Sequence, residues 1–151
     1  MHVSKDSRAF FATSKETEVD LLAQAFSWIH AVEIVTSKKL RDTLSGIGVD
    51  AIDVATLPNF AEIAASIDFV VVDLDDPEIM LDPHVLTLLK MADTAPERIV
   101  IICDHTDYQI VISEMNHLGG ALSDETRRML ATKAHQHEAL CENPALKSLR
   151  A

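Results

Sequence analysis

Basic residues are scarce in this chain. Its 151 residues include 13 Lys and Arg against 24 Asp and Glu, which gives a formal net charge of −11 at pH 7 with the histidines neutral. Proteins that bind nucleic acids or anionic membranes present cationic surfaces to them. The charge balance therefore argues against nucleic acid and membrane as general partners.

Cysteines and long apolar runs are also scarce. Cys103 and Cys141 are the only cysteines, too few for a disulfide scaffold and typical of a reducing compartment. No apolar run approaches the roughly 18 residues that a membrane-spanning helix needs. Residues 1–16 lack the apolar centre of a signal peptide. We expect a soluble, cytoplasmic protein.

Short apolar runs alternate with segments of helical period, a pattern typical of βα units around a mostly parallel sheet. Five runs are predicted to be strands: RAFFAT 8–13, VEIVT 32–36, DAIDVA 50–55, DFVVVDL 68–74 and RIVIIC 98–103. FVVV and IVII lack polar alternation, so we expect these two strands to be covered on both faces and central in the sheet.

Helix starts and stops support the same pattern. The starts are predicted at Thr13 with Glu16, at Asn59 with Glu62, at Asp82 before Pro83, and near Ser123. Gly119-Gly120 is predicted to end the helix that carries Tyr108, Val111, Ile112, Met115 and Leu118. The sequence thus predicts a single α/β domain, a three-layer α/β/α sandwich with a mostly parallel, flavodoxin-like sheet.

Carboxylates follow the two strands expected at the centre: Asp73, Asp75, Asp76, Glu78, Asp104 and Asp107. The carboxyl ends of parallel strands share one edge of a sheet, where ligands usually bind. Crowded like charges need a divalent cation, a raised pKa or divergence into solvent. All three remain open at this point.

Two turns share the sequence Thr-Ser-Lys, at residues 13–15 and 36–38. A helix N-terminus with hydroxyls and a lysine can bind a small anion or nucleotide. The alternative is that the hydroxyls only cap the helices. We favour capping, because neither turn has the glycines that let a ligand approach the backbone.

Residues 32 to about 140 resemble the receiver domain of two-component response regulators, a CheY-like fold. DFVVVDLDDP is similar to the phosphoacceptor strand, with Asp73 at the aspartate position and Pro77 four residues later. Cys103 falls about thirty residues after Asp73, where the family has Thr or Ser. VEIVTSKKL is similar to the first strand and helix, and LGGAL to the step before the last strand.

The resemblance implies a degenerate receiver, or pseudo-receiver. The acidic pair that holds Mg²⁺ in the family falls on Thr36 and Ser37, whose neutral hydroxyls do not suit a hard dication. The phosphoryl-binding hydroxyl falls on Cys103, a poor hydrogen-bond donor. The region of the conserved lysine reads LSDET, with Asp124 and Glu125 where a cation is needed.

The resemblance also implies an organisation and a function. Residues 1–31 would be an N-terminal βα extension covering an edge or an oligomer face, 32–140 the receiver-like core, and 141–151 a frayed tail. We expect a phosphorylation-independent protein–protein interaction module in signalling, without catalysis and without a cofactor, Mg²⁺ included. Its partner would be a second copy, a kinase or an output protein, bound through Tyr108, Met115 and Leu118.

Three alternatives keep a chemical role. Asp73 could be a true phosphoacceptor, or the nucleophile of a phosphotransferase or phosphatase. VVVDLDD matches the first motif of haloacid-dehalogenase-type phosphatases, with Asp75 as acid and base, but Pro77 and the position of the motif in the chain do not suit that family. The strand ends could also bind a small anion or nucleotide.

Some side chains have both a functional and an ordinary interpretation. His137 and Cys141, four residues apart on one helix, could share a metal, with His135 and Glu138 on another part of its surface. A polar helix face is the preferred interpretation. Cys103 is interpreted as a core thiol, since nearby acids raise a thiol pKa. Phe26, Trp28 and Ile29 are assigned to the core, with a subunit contact as the alternative.

Overall fold

The apolar runs of this chain form one parallel sheet. A computed structural model describes residues 7–13, 16–74, 76–95 and 97–141. The strands are β1 (Arg8–Ala12), β2 (Glu33–Thr36), β3 (Ala51–Asp53), β4 (Ile67–Val72) and β5 (Val100–Ile102). Their order is β3-β2-β1-β4-β5, and every pairing is parallel. The predicted strands are all present.

Six α-helices in the described part of the chain connect or follow these strands. They are α1 (Glu16–Gln24), α2 (Lys38–Ser45), α3 (Phe60–Ala64), α4 (Pro83–Thr94), α5 (Tyr108–His117) and α6 (Asp124–Cys141). A π-helical turn, Ala25–Ile29, extends α1, and short 3₁₀ turns cover Val54–Thr56, Ile79–Leu81 and His105–Asp107. None of the described helices is both long enough and apolar enough to cross a bilayer.

Both faces of the sheet are apolar, because successive strand residues point to opposite sides. Phe11 and Val71 belong to one core cluster, to which α1, α2 and α5 contribute. Phe10 and Val70 belong to the other, which α3 and α4 cover. The predicted three-layer α/β/α sandwich with a parallel sheet is therefore confirmed.

Helix α6 closes the β5 side of the sheet. It contacts β5, and it contributes Leu130 to one core cluster and Ala134 to the other. A single helix that reaches both clusters lies across the edge where they meet. The outer strand β5 is thus covered by helix rather than by another strand.

The order of the strands corrects two expectations. β1 lies in the middle of the sheet, between β2 and β4, and does not extend an edge. Its residues Phe10 and Phe11 are 2% and 0% exposed and need cover on both faces. β5 is an outer strand rather than a central one, although β4 is central as expected. An apolar run shows only that a strand is covered. At β5 that cover comes from α6 and not from a further strand.

The described residues contain no strand after LGGAL, so the expected last receiver strand is absent there. Gly119 and Gly120 end α5 with φ angles of 68° and 99°, and the Gly120 N–H donates to the Met115 carbonyl at 2.7 Å. The chain then enters α6, where the Ser123 hydroxyl accepts a hydrogen bond from the Thr126 N–H at 3.2 Å. Both predicted helix signals are confirmed, and helix takes the place of the strand.

Two other helix starts were correctly predicted. The Asp82 carboxylate accepts from the His84 N–H at 2.8 Å, and Pro83 occupies the first helical position. Asn59 is the N-cap of α3, but its side chain makes no capping hydrogen bond. Helix α1 begins at Glu16, beyond Thr13, with residues 14 and 15 outside the described part of the chain.

Candidate functional site

The carboxyl edge of the sheet has a switch point between β1 and β4. From β1 the chain proceeds outward through β2 and β3 on one side, and through β4 and β5 on the other. The Asp73 N–H donates to the Ala12 carbonyl at 3.1 Å, which places Thr13 and Asp73 beside each other at the two strand ends. Crevices at such switch points are where ligands bind in open α/β sheets.

Thr36 and Ser37 lie one strand away from this switch point. β1 separates β2 from β4, so the expected grouping of Thr36 and Ser37 around Asp73 is wrong. The buried Thr36 hydroxyl donates to the Phe11 carbonyl at 2.6 Å, and Ser37 caps α2 by accepting from the Leu40 N–H at 3.3 Å. Both hydroxyls form hydrogen bonds with the backbone, and the bond accepted by Ser37 is the helix cap that the sequence predicts.

Asp73 is at the end of the central strand, as its sequence position predicts. It is 8% exposed. Its carbonyl accepts from the Asp76 N–H at 3.2 Å and closes a turn. The Asp76 carboxylate accepts from the Glu78 N–H at 3.0 Å and stabilises that turn, while Asp75 lies outside the described residues. Within this acidic run, Asp73 is buried and Asp76 stabilises a turn.

A lysine that the sequence did not point to lies among the acids that follow β5. The Lys133 ammonium, from α6, donates to both Asp107 carboxylate oxygens at 2.9 and 3.0 Å and to Asp104 at 3.4 Å. The Asp107 side chain is only 3% exposed. The Lys133 ammonium compensates the charge of the crowded carboxylates here. The sequence suggested a divalent cation, a raised pKa or divergence into solvent instead.

These contacts shift the pKa values of Asp104 and Lys133. The hydrogen bond from the Thr106 N–H lowers the pKa of Asp104 to about 2, and the Thr106 hydroxyl and Lys133 act in the same direction. Partial burial of the carboxylate acts in the opposite direction. The hydrogen bond to Asp107 raises the pKa of Lys133 above its ordinary value. At neutral pH Asp104 is therefore ionised beside the Lys133 ammonium.

Cys103 is a half-buried thiol next to this cluster. Burial, followed by the charges of Asp104 and Asp107, raises the pKa of Cys103 to about 12. A thiol of that pKa is almost entirely protonated at neutral pH and is a poor nucleophile. The interpretation of Cys103 as an ordinary core thiol agrees with this environment.

Metal-binding groupings do not form among the described residues. No three His, Cys, Asp or Glu side chains of that part of the chain come together as ligands. His135 is exposed on α6, near a shallow crevice lined by Asp93 and Arg127. The side chains of His137, Glu138 and Cys141 lie outside those that the structure describes.

The expected interaction surface is largely core. Tyr108 and Met115 are 6% and 0% exposed and belong to the cluster beneath α5, so their assignment to an interface is wrong. Their spacing along α5 places them on its inner side, the side that an apolar stripe normally buries. Leu118, which is 40% exposed, does reach the surface.

A different apolar surface is exposed on α1 and α5. We define the α1–α5 face by its large exposed side chains: Leu21, Trp28, Ile29, Ile110 and Leu118. Helices α1 and α5 pack side by side on the same face of the sheet, and the His30 Nε2 atom lies 3.0 Å from the Asn116 Oδ1 atom. Trp28 and Ile29 are 57% and 60% exposed, so their assignment to the core is wrong, whereas Phe26 is buried.

The π turn explains why Ile29 is exposed. The His30 N–H donates to the Ala25 carbonyl, an i to i+5 bond that puts more residues into one turn than an α-helix does. The face that α-helical spacing assigns to the core has therefore rotated toward solvent by Ile29. No sequence signal of the π turn was recognised.

The fold has a counterpart among solved structures. No family model matches the sequence. The chain is similar to the crystal structure of ForH, with a TM-score of 0.73 and 17% sequence identity over 96% of this chain and 98% of that one. At that identity the likeness shows the fold alone, which unrelated functions can share.

Proposed function

We propose that this protein is a protein–protein interaction module whose binding surface is the α1–α5 face. The observation that carries the proposal is the set of five large apolar side chains left 40–60% exposed on two adjacent helices. Exposed apolar surface that is concentrated in one place marks interaction sites on soluble proteins. The module acts without a cofactor and without catalysis at Asp73.

The charge distribution supports this surface. A quarter of the chain is Asp, Glu, Lys or Arg. Within residues 19–29 and 108–118, the exposed residues nevertheless include no Asp, Glu, Lys or Arg. Glu114 is partly buried, and its carboxylate accepts hydrogen bonds from the Ser123 N–H and the Thr126 hydroxyl of the α6 start. Depletion of charge at the centre is typical of protein interfaces.

The carboxyl edge supports the non-catalytic part of the proposal. Asp73 is almost fully buried, and Thr36 and Ser37 are a strand away from it. Lys133 is the described lysine nearest to the acids after β5, and its ammonium is engaged by Asp107 and Asp104. Phosphoryl transfer needs positioned cations around the transferred group, and Lys133 is committed to Asp107 and Asp104 instead.

A site-specific photo-cross-linker tests the proposal. A benzophenone amino acid at Ser113, on the exposed side of α5, should give cross-links to one defined peptide of a protein when the full chain is illuminated in cells that express it. The same amino acid at Lys90, exposed on α4 at the opposite face of the sheet, is the matched control. Equal, diffuse labelling from the two positions would contradict the proposal.

Binding of a small anion is a second candidate, favoured by one observation. β1 and β2 are neighbours, so Thr13 and Thr36, the first residues of the two Thr-Ser-Lys sequences, lie at neighbouring strand ends on the carboxyl edge. The Thr13 Oγ1 atom is buried and has no hydrogen-bond partner among the described residues. An unpartnered buried hydroxyl at a helix start can be satisfied by a bound oxyanion.

Inorganic phosphate and simple nucleotides are the probes for this second candidate. Millimolar phosphate should raise the melting temperature of the chain, and Thr13→Val should remove the effect. Thr87→Val, at an exposed hydroxyl on α4, is the control. Equal melting temperatures with and without each probe would rule the candidate out.

A further inference from the structure

We propose that α6 is a separately opening segment, which leaves β5 as one unit while the sheet stays folded, and that the Lys133 ammonium is the contact that holds it closed. Folded proteins open locally in such cooperative segments, at free energies below that of global unfolding. A helix held by one charge is a conformational switch, because loss of that charge changes how often the helix opens. The α1–α5 face plays no part in it.

The position of α6 in the chain lets it leave without disturbing another element. Among the elements that the structure describes, α6 is the last, so no strand or helix has to move with it. It contacts the outer strand β5, whose pairing with β4 is on the other side. Opening of α6 therefore breaks the contacts of one helix and leaves the described strand pairings intact.

Helix α6 buries little apolar surface. Of its described side chains, at residues 124–136, the apolar ones that are buried are Leu130 and Ala134, at 1% and 3% exposure. The shorter helix α4 buries four: Val85, Leu88, Leu89 and Ala92. A crevice also remains between the two helices, where Ala131 lines the α6 side. Because stabilisation by apolar burial follows the area removed from water, α6 is held less firmly in this way than α4.

Polar contacts supply part of the hold at the start of α6. The Arg127 guanidinium donates to the Glu97 carbonyl, and the Thr126 hydroxyl donates to the Glu114 carboxylate. Glu97 is exposed, and Glu114 is only partly buried. Water can replace partners of this kind when the helix leaves, so these contacts oppose opening only modestly.

The contact of Lys133 is different, because its main acceptor is buried. The ammonium donates to both Asp107 oxygens at 2.9 and 3.0 Å and to Asp104 at 3.4 Å. The Asp107 side chain is 3% exposed. A closed α6 without the ammonium leaves this carboxylate buried and uncompensated, whereas opening of the helix admits water to it. Loss of the Lys133 charge therefore favours the open state.

Native-state hydrogen exchange of the purified full chain, followed by NMR in urea below the unfolding transition, tests the proposal. The amides of residues 128–134 should share one protection factor, at least about tenfold lower than that of the β4 amides. Their exchange should also depend less on urea than that of β4, because opening of one helix exposes less surface than global unfolding. This measurement on the parent chain needs no substitution.

Three variants separate α6 from the rest of the domain. Lys133→Met should lower the protection of the α6 amides about 30–150-fold, whereas Lys90→Met, at an exposed position of α4, should leave it unchanged. Ile34→Val, at a fully buried position of β2, should lower the protection of the β4 amides about 2–10-fold. It should not change the protection of α6, because β2 is folded in both the closed and the open states.

Equal protection of α6 and β4 with the same dependence on urea would overturn the proposal, since α6 would then unfold only with the whole domain. A loss of protection that Ile34→Val causes equally in α6 and β4 would lead to the same conclusion. Equal α6 protection in the Lys133→Met and Lys90→Met chains would refute the role of the Lys133 charge.

Discussion

Lys133→Met removes the ammonium that contacts the buried Asp107 carboxylate while keeping an unbranched apolar stem on α6. Both Asp107 oxygens accept from the Lys133 ammonium, at 2.9 and 3.0 Å, and the Asp107 side chain is 3% exposed. Breaking a fully buried ion pair by removing one partner costs roughly 3–5 kcal/mol. The Lys133 side chain is 34% exposed, so solvent screens part of the interaction. We expect a loss of about 2–3 kcal/mol, near the cost of a charged acceptor left unsatisfied.

Urea denaturation followed by circular dichroism measures this loss directly. For a domain of this size, about 2–3 kcal/mol corresponds to a fall in melting temperature of roughly 4–12 °C. Lys90→Met, at an exposed position of α4, should stay within about 0.5 kcal/mol of the parent chain. The double variant Lys133→Met/Asp107→Asn should recover part of the loss, because it no longer buries an unpaired charge. A Lys133→Met chain as stable as the Lys90→Met chain would refute the reasoning.

Three further predictions concern neighbouring groups. Because the pKa of Asp104 is lowered to about 2 in the folded state from an ordinary 3.8, its contribution to the free energy of unfolding should be complete above pH 4 and lost as the pH falls toward 2. Urea midpoints measured across this pH range should fall accordingly, and Asp104→Asn should make them less dependent on pH. In a Cys141→Ser background, Cys103 should react with iodoacetamide at pH 8 about 10²–10³-fold more slowly than a free thiol, and rapid labelling of the folded chain would contradict its raised pKa. Met115→Ala should cost about 2–5 kcal/mol as a core truncation, whereas Leu118→Ala should cost far less, and similar melting temperatures for the two variants would be inconsistent with the burial found here.

The elements of the fold could be predicted from local sequence. RAFFA, IVT and FVVV are apolar runs of strand length between helix signals, and each became a strand. Asp82, Ser123 and Gly119-Gly120 are short-range signals whose hydrogen bonds involve residues two to five positions away. Such bonds are determined by neighbouring residues, so the sequence shows them directly.

The arrangement of the elements could not be predicted in the same way. A strand with both faces covered has the same apolar pattern in the middle of the sheet, as β1 has, and at its side, as β5 has with α6 over it. The receiver resemblance began at β2 and so placed Thr36 next to Asp73, although β1 lies between them. Strand order depends on long-range pairing, which periodicity does not record.

The candidate site was predicted in part for the same reason. The acids of the carboxyl edge could be found because each directly follows a strand. Lys133 could not, since it is 26 residues from Asp107 in the sequence and reaches it only when α6 packs on β5. The exposure of Ile29 depends on the π turn, which shifts the helical phase by a residue without a recognised sequence pattern.

The position of α6 has a consequence for how the chain reaches its native state. The five strands that the structure describes precede α6 in the sequence, so during synthesis the sheet can assemble while the outer side of β5 is still bare. A bare strand edge pairs readily with other chains. Leu130 and Ala134 also leave both apolar layers open until α6 docks. The interval between completion of β5 and docking of α6 is therefore the period in which this protein is most exposed to aggregation, and in which a chaperone would have most to protect.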